Sequence, residues 1–363
     1  MKDIPVILFG AGGVGSALIR QIINGRSRVA ERNHCQFNVV AVTDSKTWLW
    51  NADGLTDEQL LDVVAAKAEK QVVDPAFRHE PLTSRKRPSD IDVVNAAAAA
   101  GLSNVILVDV TAADGMEPTL MRALELGYGI VLANKKAFAG PLESALPFFN
   151  NLQVRHESTV GGGQPVIATL RYLLDVNDPI YQIEGQLSGT LGFICQQLDR
   201  GVSFSQAVRE AKERGYTEPD PREDLGGMDV MRKVMILGRM AGWPLTNDDI
   251  TVESLYTPEL ASSSVDEFMT EVATLDDKMA QRFAEAKANG NVLRYVAEVE
   301  EGKGIVGLKP ISADSALANL KYISFRTERY NDEALLIGGK GAGVEMTAAG
   351  VLGDMLDLVR ETA

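Results

Sequence analysis

Six residues near the start of the chain, Gly10-Ala11-Gly12-Gly13-Val14-Gly15, constrain the fold more than any others. They follow the apolar run VILF, and a helical pattern continues to about Asn24. Gly10, Gly12 and Gly15 hold the G-x-G-x-x-G positions. The first glycine permits a tight turn, the second admits close approach of a pyrophosphate, and the third lets helix and strand pack closely. The helix start then offers free N–H groups and a partial positive charge to phosphate. Such a turn also occurs for structural reasons alone. The context favours a dinucleotide, because a second strand pattern, FNVVAVTD, ends at Asp44, where a carboxylate reaches a ribose hydroxyl. Asp44 argues for NAD, since it repels a 2'-phosphate. Lys46 is open to solvent or to such a phosphate. Arg85, Lys86 and Arg87 read as a solvated loop, with an adenosine-phosphate clamp as the minor alternative.

From Met1 to about Asn150, nearly continuous apolar runs (VILF, FNVVAV, VILVDV, GIVLA) alternate with helical stretches such as LIRQIIN and LMRALEL. Strands covered on both faces have this character, so the spacing predicts a Rossmann-type, doubly wound parallel sheet. After Gln153 the rhythm changes. YQIEGQLSG, NVLRYVAEVEE and GIVGLKPI alternate polar with apolar residues, which predicts a second α+β domain on an open, mixed or antiparallel sheet. The last segment, GGKGAG into MTAAGVLGDMLDLVR, has a helical period and is expected to return to the first domain. The expected division is residues 1-153 completed by 340-363 for the dinucleotide, and 154-339 for substrate and dimerisation. Thr274 to Ala288, rich in helix formers and mixed charge, reads as a solvated helix without a site role.

With 363 residues, 45% of them hydrophobic, the chain can bury two cores. Its 36 Lys and Arg against 50 Asp and Glu leave a formal net charge of -14, which repels phosphate backbones and anionic lipid. Neither nucleic acid nor membrane is therefore an expected partner. Cys35 and Cys195 are too few for a disulfide framework and have no His or Cys cluster beside them for zinc, so a reducing compartment fits. The N-terminal apolar run falls short of a signal segment or of a span of roughly 20 residues, and a cytoplasmic protein is expected.

The most informative stretch is AKERGYTEPDPREDLGGMDVMRK, Ala211 to Lys233, leading into VMILGRMAG. A helix beginning near Gly227 carries Asp229 and Lys233 four residues apart, hence on one face. An exposed pair of this kind is worth only a few tenths of a kcal/mol, about 0.3–0.5. The rest of this helix is strongly apolar, however, from Val230 and Met231 to Val234, Met235, Ile236 and Leu237, so little of it can face water. A partly buried lysine beside carboxylates has a tunable proton affinity, as general acid/base chemistry requires.

At this segment the sequence resembles homoserine dehydrogenases. The pattern A-x3-G-Y-T-E-P-D-P-x2-D-L-x-G-x-D-x3-K is similar to that family's signature. NKKAF at Asn134 to Phe138, HESTVGGGQP at His156 to Pro165, LSGTLGFI at Leu187 to Ile194 and GAGVEMTAAGVLGD near the C-terminus resemble further family blocks in family order. The resemblance spans essentially the whole chain and is greatest to the short monofunctional enzymes, without an aspartokinase half or an appended regulatory domain.

It implies hydride transfer with NAD or NADP between L-homoserine and L-aspartate 4-semialdehyde. Lys233 would be the general acid/base, Asp229 its supporting carboxylate, and Glu218 and Asp224 the holders of the substrate ammonium, with Gly189 and Thr190 bordering the substrate. Lys135 and Thr111 would line the nicotinamide and ribose, Lys135 also approaching the substrate. Gly13, Val14 and Gly343 join the cofactor set. Glu157, Val160, Gly162 and Gln164 match a structural monovalent cation site for Na+ or K+; a plain loop needing glycine for φ > 0 is the competing reading. The family also implies a homodimer through the second sheet.

Two rival readings remain. A dehydrogenase working through a thioester needs a nucleophilic cysteine, and Cys195 lies in the apolar run GFICQQL, which suits a packing thiol. A non-catalytic NAD-binding sensor on the same fold has no use for Glu218, Asp224, Asp229 and Lys233 together.

Overall fold

The computed structural model describes residues 1–69 and 87–361; Arg85 and Lys86 lie outside the described residues. The chain forms two compact units, Met1–Ile167 with Ala342–Ala363, and Ala168–Gly341.

In the first unit six strands, β1 (Lys2–Phe9), β2 (Cys35–Thr43), β3 (Trp48–Trp50), β4 (Ile106–Asp109), β5 (Gly129–Leu132) and β6 (Val154–Arg155), lie in the order β3-β2-β1-β4-β5-β6. The β1, β2, β4, β5 and β6 pairings are all parallel. Ile7, Phe9, Leu107, Val108, Ile130 and Val131 are sealed on both faces, which explains the unbroken apolar runs. One strand departs from the fully parallel expectation. β3 runs antiparallel to β2 because only Asp44 to Thr47 separate them, too short a link for a crossover. Helix Gly13–Asn33 follows β1 and packs against the C-terminal helix Val344–Glu361. Arg155 on β6, only 1% exposed, anchors that C-terminal helix by pairing with Asp357 at 2.6 Å and with Glu361.

The second unit is built on β7 (Ile180–Gly185), β8 (Ile250–Val252), β9 (Asn291–Glu300), β10 (Lys303–Ser312), β11 (Tyr322–Thr327) and β12 (Leu335–Gly338), in the order β12-β11-β7-β9-β10-β8. All pairings are antiparallel except β8 with β10. Along β9, Leu293, Tyr295, Ala297 and Val299 are buried, and helices Gly189–Asp199, Met228–Met240 and Asp276–Ala288 pack on this strand. The opposite alternation carries a polar network: Lys309 Nζ reaches Glu184 at 2.5 Å and Glu298 at 2.7 Å. Helix Asp276–Ala288 is not merely solvated, as its composition suggested. It buries Met279, Phe283 and Ala286, and Asp276 accepts from the Ser205 N–H and hydroxyl, because its apolar residues recur at helical spacing among the charges.

Candidate active site

Each unit holds one constellation. In the first, β1 ends at Gly10, whose φ of +99° belongs to glycine. Gly12 caps the helix, and a Cβ there would meet nothing within 4 Å, which leaves the turn open to a ligand. Gly15 does the reverse: an added Cβ would lie 1.9 Å from the Gly10 carbonyl oxygen, so the helix is pressed onto the turn. The turn opens on a cavity of about 890 Å³ lined by Gly10, Gly12, Gly13, Asp44, Thr111 and Val344, among others. The size and the backbone cradle fit a dinucleotide. Val14 instead packs on the core, and Gly343, at φ +113°, stands just before the helix residue Val344.

Thr111 is held by a buried network that sequence reasoning missed. Its N–H and hydroxyl donate to Asp109 Oδ1 at 2.9 and 2.7 Å, and the Asn134 side chain donates to Asp109 Oδ2 at 3.0 Å and to the Ala113 carbonyl at 2.9 Å. Burial pushes the fully enclosed Asp109 carboxyl upward, and the bonds from Thr111 and Asn134 oppose that. The signal was an acid closing an otherwise apolar strand. Lys135 follows Asn134 and is half-buried; it starts the short helix Lys136–Ala139.

In the second unit, helix Met228–Met240 begins at Gly227, φ +72°, where a Cβ would sit 2.2 Å from the Tyr295 hydroxyl. That hydroxyl donates to the Glu253 carbonyl at 2.7 Å, which fixes where the helix starts. Lys233 donates to the Leu187 carbonyl at 2.7 Å and pairs with Asp229 at 2.8 Å. The lysine side chain is 14% exposed and its aspartate 45%, so the ammonium faces the protein and the carboxylate faces water. Leu187 precedes Ser188, the cap of helix Gly189–Asp199, so Gly189 and Thr190 open the next turn. The Thr190 hydroxyl is shared between the Tyr216 carbonyl, at 2.6 Å, and Asp224, which also accepts from the Glu218 N–H at 2.8 Å. Burial pushes the Asp224 carboxyl above its ordinary range, the Glu218 and Thr190 bonds oppose it, and Asp229 and Glu223 add to the rise. Asp224 and Thr190 are thus joined directly, Asp229 lies near enough to act on the Asp224 charge and itself pairs with Lys233, and Glu218 is exposed.

Cys195 is fully buried, and burial pushes its thiol up to about 12, as suits a packing thiol rather than a nucleophile. In the His156 loop, Glu157 is 7% exposed and one carboxylate oxygen accepts from the Val166 and Ile167 N–H groups, each at 2.7 Å. The Ser158 hydroxyl donates to the Gly162 carbonyl at 2.8 Å, Val160 is buried, and the buried Gln164 amide nitrogen has no hydrogen-bond partner. A carboxylate, loop carbonyls and an amide that presents oxygen when turned over suit a hard monovalent cation. Among the described residues, no cluster of three or more His, Cys, Asp or Glu is placed to hold a metal, and no helix is long and apolar enough to cross a membrane.

Comparison with known proteins gives these features a family. Residues 10–153 match the family model described as homoserine dehydrogenase, NAD binding domain, and residues 165–356 match that of homoserine dehydrogenase. A homoserine dehydrogenase of Paracoccidioides brasiliensis is 42% identical over 293 residues, covering 74% of this chain and 78% of that protein. The chloroplastic bifunctional aspartokinase/homoserine dehydrogenase 2 of Zea mays is 36% identical over 98% of this chain, which spans 38% of the maize protein's length. A hyperthermophilic archaeal homoserine dehydrogenase solved in complex with NADPH superposes with a TM-score of 0.73 at 25% identity, covering 99% of this chain and 98% of the other. With both family models matched in chain order over the two constellations, the chain belongs to the homoserine dehydrogenase family.

Proposed function

We propose that the chain interconverts L-homoserine and L-aspartate 4-semialdehyde with NAD or NADP, in the aspartate-derived route to threonine, methionine and isoleucine. The observation that carries this reading is the lysine on helix Met228–Met240, shielded from water between the Leu187 carbonyl and Asp229 and clustered with Asp224. The NADPH carried by the archaeal relative supports the cofactor class.

A bound nicotinamide supplies the hydride acceptor or donor. Gly10, Gly12, Gly13, Val14 and Gly15 would hold its phosphates, Asp44 would serve the adenosine ribose, and Thr111, Lys135 and Gly343 would serve the nicotinamide side. Asp224 and Glu218 hold the substrate ammonium by charge-assisted bonds, while Gly189 and Thr190 shape the wall beside it. In oxidation, Lys233 would act as the base that takes the hydroxyl proton of the substrate. In reduction, the ammonium returns that proton to the carbonyl oxygen. Asp229, more exposed than the lysine, exchanges the proton with solvent. An alcohol gives up hydride poorly until its proton begins to leave, so this amine supplies what the cofactor cannot.

Residues 1-153 with 340-363 serve the cofactor in this reading, and 154-339 the substrate and a homodimer formed through the second sheet, whose Ile305 and Leu336 are exposed. Glu157, Val160, Gly162 and Gln164 hold Na+ or K+ as a structural ion, and the protein works in the cytoplasm. Initial rates with L-homoserine and NADP+ or NAD+ test the reading. Formation of reduced nicotinamide with homoserine, but not with other hydroxy amino acids, is the expected result; nucleotide binding with no turnover would leave a sensor instead.

A further inference from the structure

The acid at the end of β2 does not present the carboxylate that the glycine-turn fingerprint leads one to expect. Asp44 has turned back on its own loop. Its Oδ1 accepts from the Lys46 N–H at 2.8 Å, the Thr47 N–H at 2.8 Å and the Thr47 hydroxyl at 3.2 Å. Its Oδ2 accepts from Lys67 Nζ at 2.5 Å, and the Asp44 side chain is 6% exposed. Lys67 comes from the last turn of helix Asp57–Ala68 and lines the same cavity, as do Arg87 and Asp90, which pair with each other. The Arg87 Nε–H is buried with no hydrogen-bond partner. Among the described residues, that end of the cavity sets Lys67 and Arg87 against Asp44 and Asp90. The repulsion by which a lone acid excludes a 2'-phosphate is cancelled there.

We propose that Lys67 is the specificity-determining residue of the dinucleotide site: it masks Asp44 and offers a charged donor to the 2'-phosphate, so the chain accepts NADP(H) as well as NAD(H). The proposal rests on the cofactor role assigned above. With a 2'-phosphate present, Lys67 would keep a donor on Asp44 and offer another to the phosphate, and Arg87 lines the same cavity. With a 2'-hydroxyl, Asp44 Oδ2 has the option of exchanging Lys67 for the ribose.

The test is fluorescence titration of the full chain with NADPH and with NADH, which reads binding apart from turnover. Lys67→Met is expected to raise the NADPH Kd by about 10- to 100-fold, the value of a charge-assisted hydrogen bond, and to leave the NADH Kd within about threefold. Lys67→Arg keeps NADPH binding within about tenfold of the parent, because the charge stays. Asp44→Asn, which retains an acceptor for the loop, weakens NADH relative to NADPH. Lys67→Met weakening both nucleotides equally, or neither, overturns the proposal. A parent chain that binds both nucleotides but does not oxidise homoserine overturns the catalytic reading alone, and one that binds neither overturns both.

Discussion

The glycine turn and the lysine cluster are built by opposite means. The turn is made of backbone, from a single segment, and is held by steric exclusion: Gly15 has no room for a Cβ, and Gly10 has a backbone angle that other residues avoid. The lysine cluster is made of side chains, drawn from Leu187, Thr190, Asp224, Asp229 and Lys233, and is held by hydrogen bonds and one ion pair. The first should respond to added volume and be indifferent to pH. The second should respond to lost charge and be sensitive to pH.

Lys233→Ala tests this contrast with the largest expected effect. Removing a general acid/base lowers kcat by about 10²–10⁴-fold, whereas NADPH titration should give a Kd within about threefold of the parent, because the turn makes no use of that amine. Gly15→Val is the converse. The new side chain must displace the Gly10 carbonyl, so nucleotide affinity should fall by about 100-fold or more, with about 1–3 kcal/mol lost from stability. A Gly15→Val protein with unchanged affinity would show that steric pressure does not shape the turn.

Asp224 sharpens the pH side. Burial raises its carboxyl, so the proton is held at pH values where an ordinary aspartate has already lost it. The raised affinity favours folding at low pH, and that contribution disappears as pH rises through the folded-state value. Substrate binding runs the other way, since the ammonium needs the ionised form. The KM for homoserine should therefore climb as pH falls, beginning above the ordinary aspartate value of about 3.9. Asp224→Asn should raise KM at neutral pH by about 10- to 100-fold and flatten its acid limb without loss of stability. A smaller effect is expected at the anchor of the C-terminal helix. Arg155→Met leaves Asp357 and Glu361 without their cation, but these acids are 42% and 40% exposed and can rehydrate. Urea denaturation should show a loss of about 1–3 kcal/mol, below that for a wholly buried pair.

What the sequence revealed divides along the same line. The turn was legible because its glycines sit within six residues and each answers a local demand. Asp229 and Lys233 were legible as one helical face, and the apolar remainder of the helix pointed to burial. The Leu187 carbonyl was not legible, being a backbone acceptor 46 positions from Lys233, a distance that only folding closes. Lys67 was hidden in the same way, 23 positions from Asp44, so that the sequence argued for NAD from Asp44 and had Lys46 to weigh against it. The short link between β2 and β3 carried its own warning against a parallel pairing, since four residues cannot make a crossover.

The most direct measurement is chemical rescue of Lys233→Ala. With homoserine and NADP+ at saturation, adding a small primary amine such as methylamine should restore part of the lost kcat, in proportion to the free-base concentration, with no change in nucleotide affinity. The same variant turning over within about tenfold of the parent without any amine, a loss below what general acid/base catalysis supplies, would place the proton transfer elsewhere.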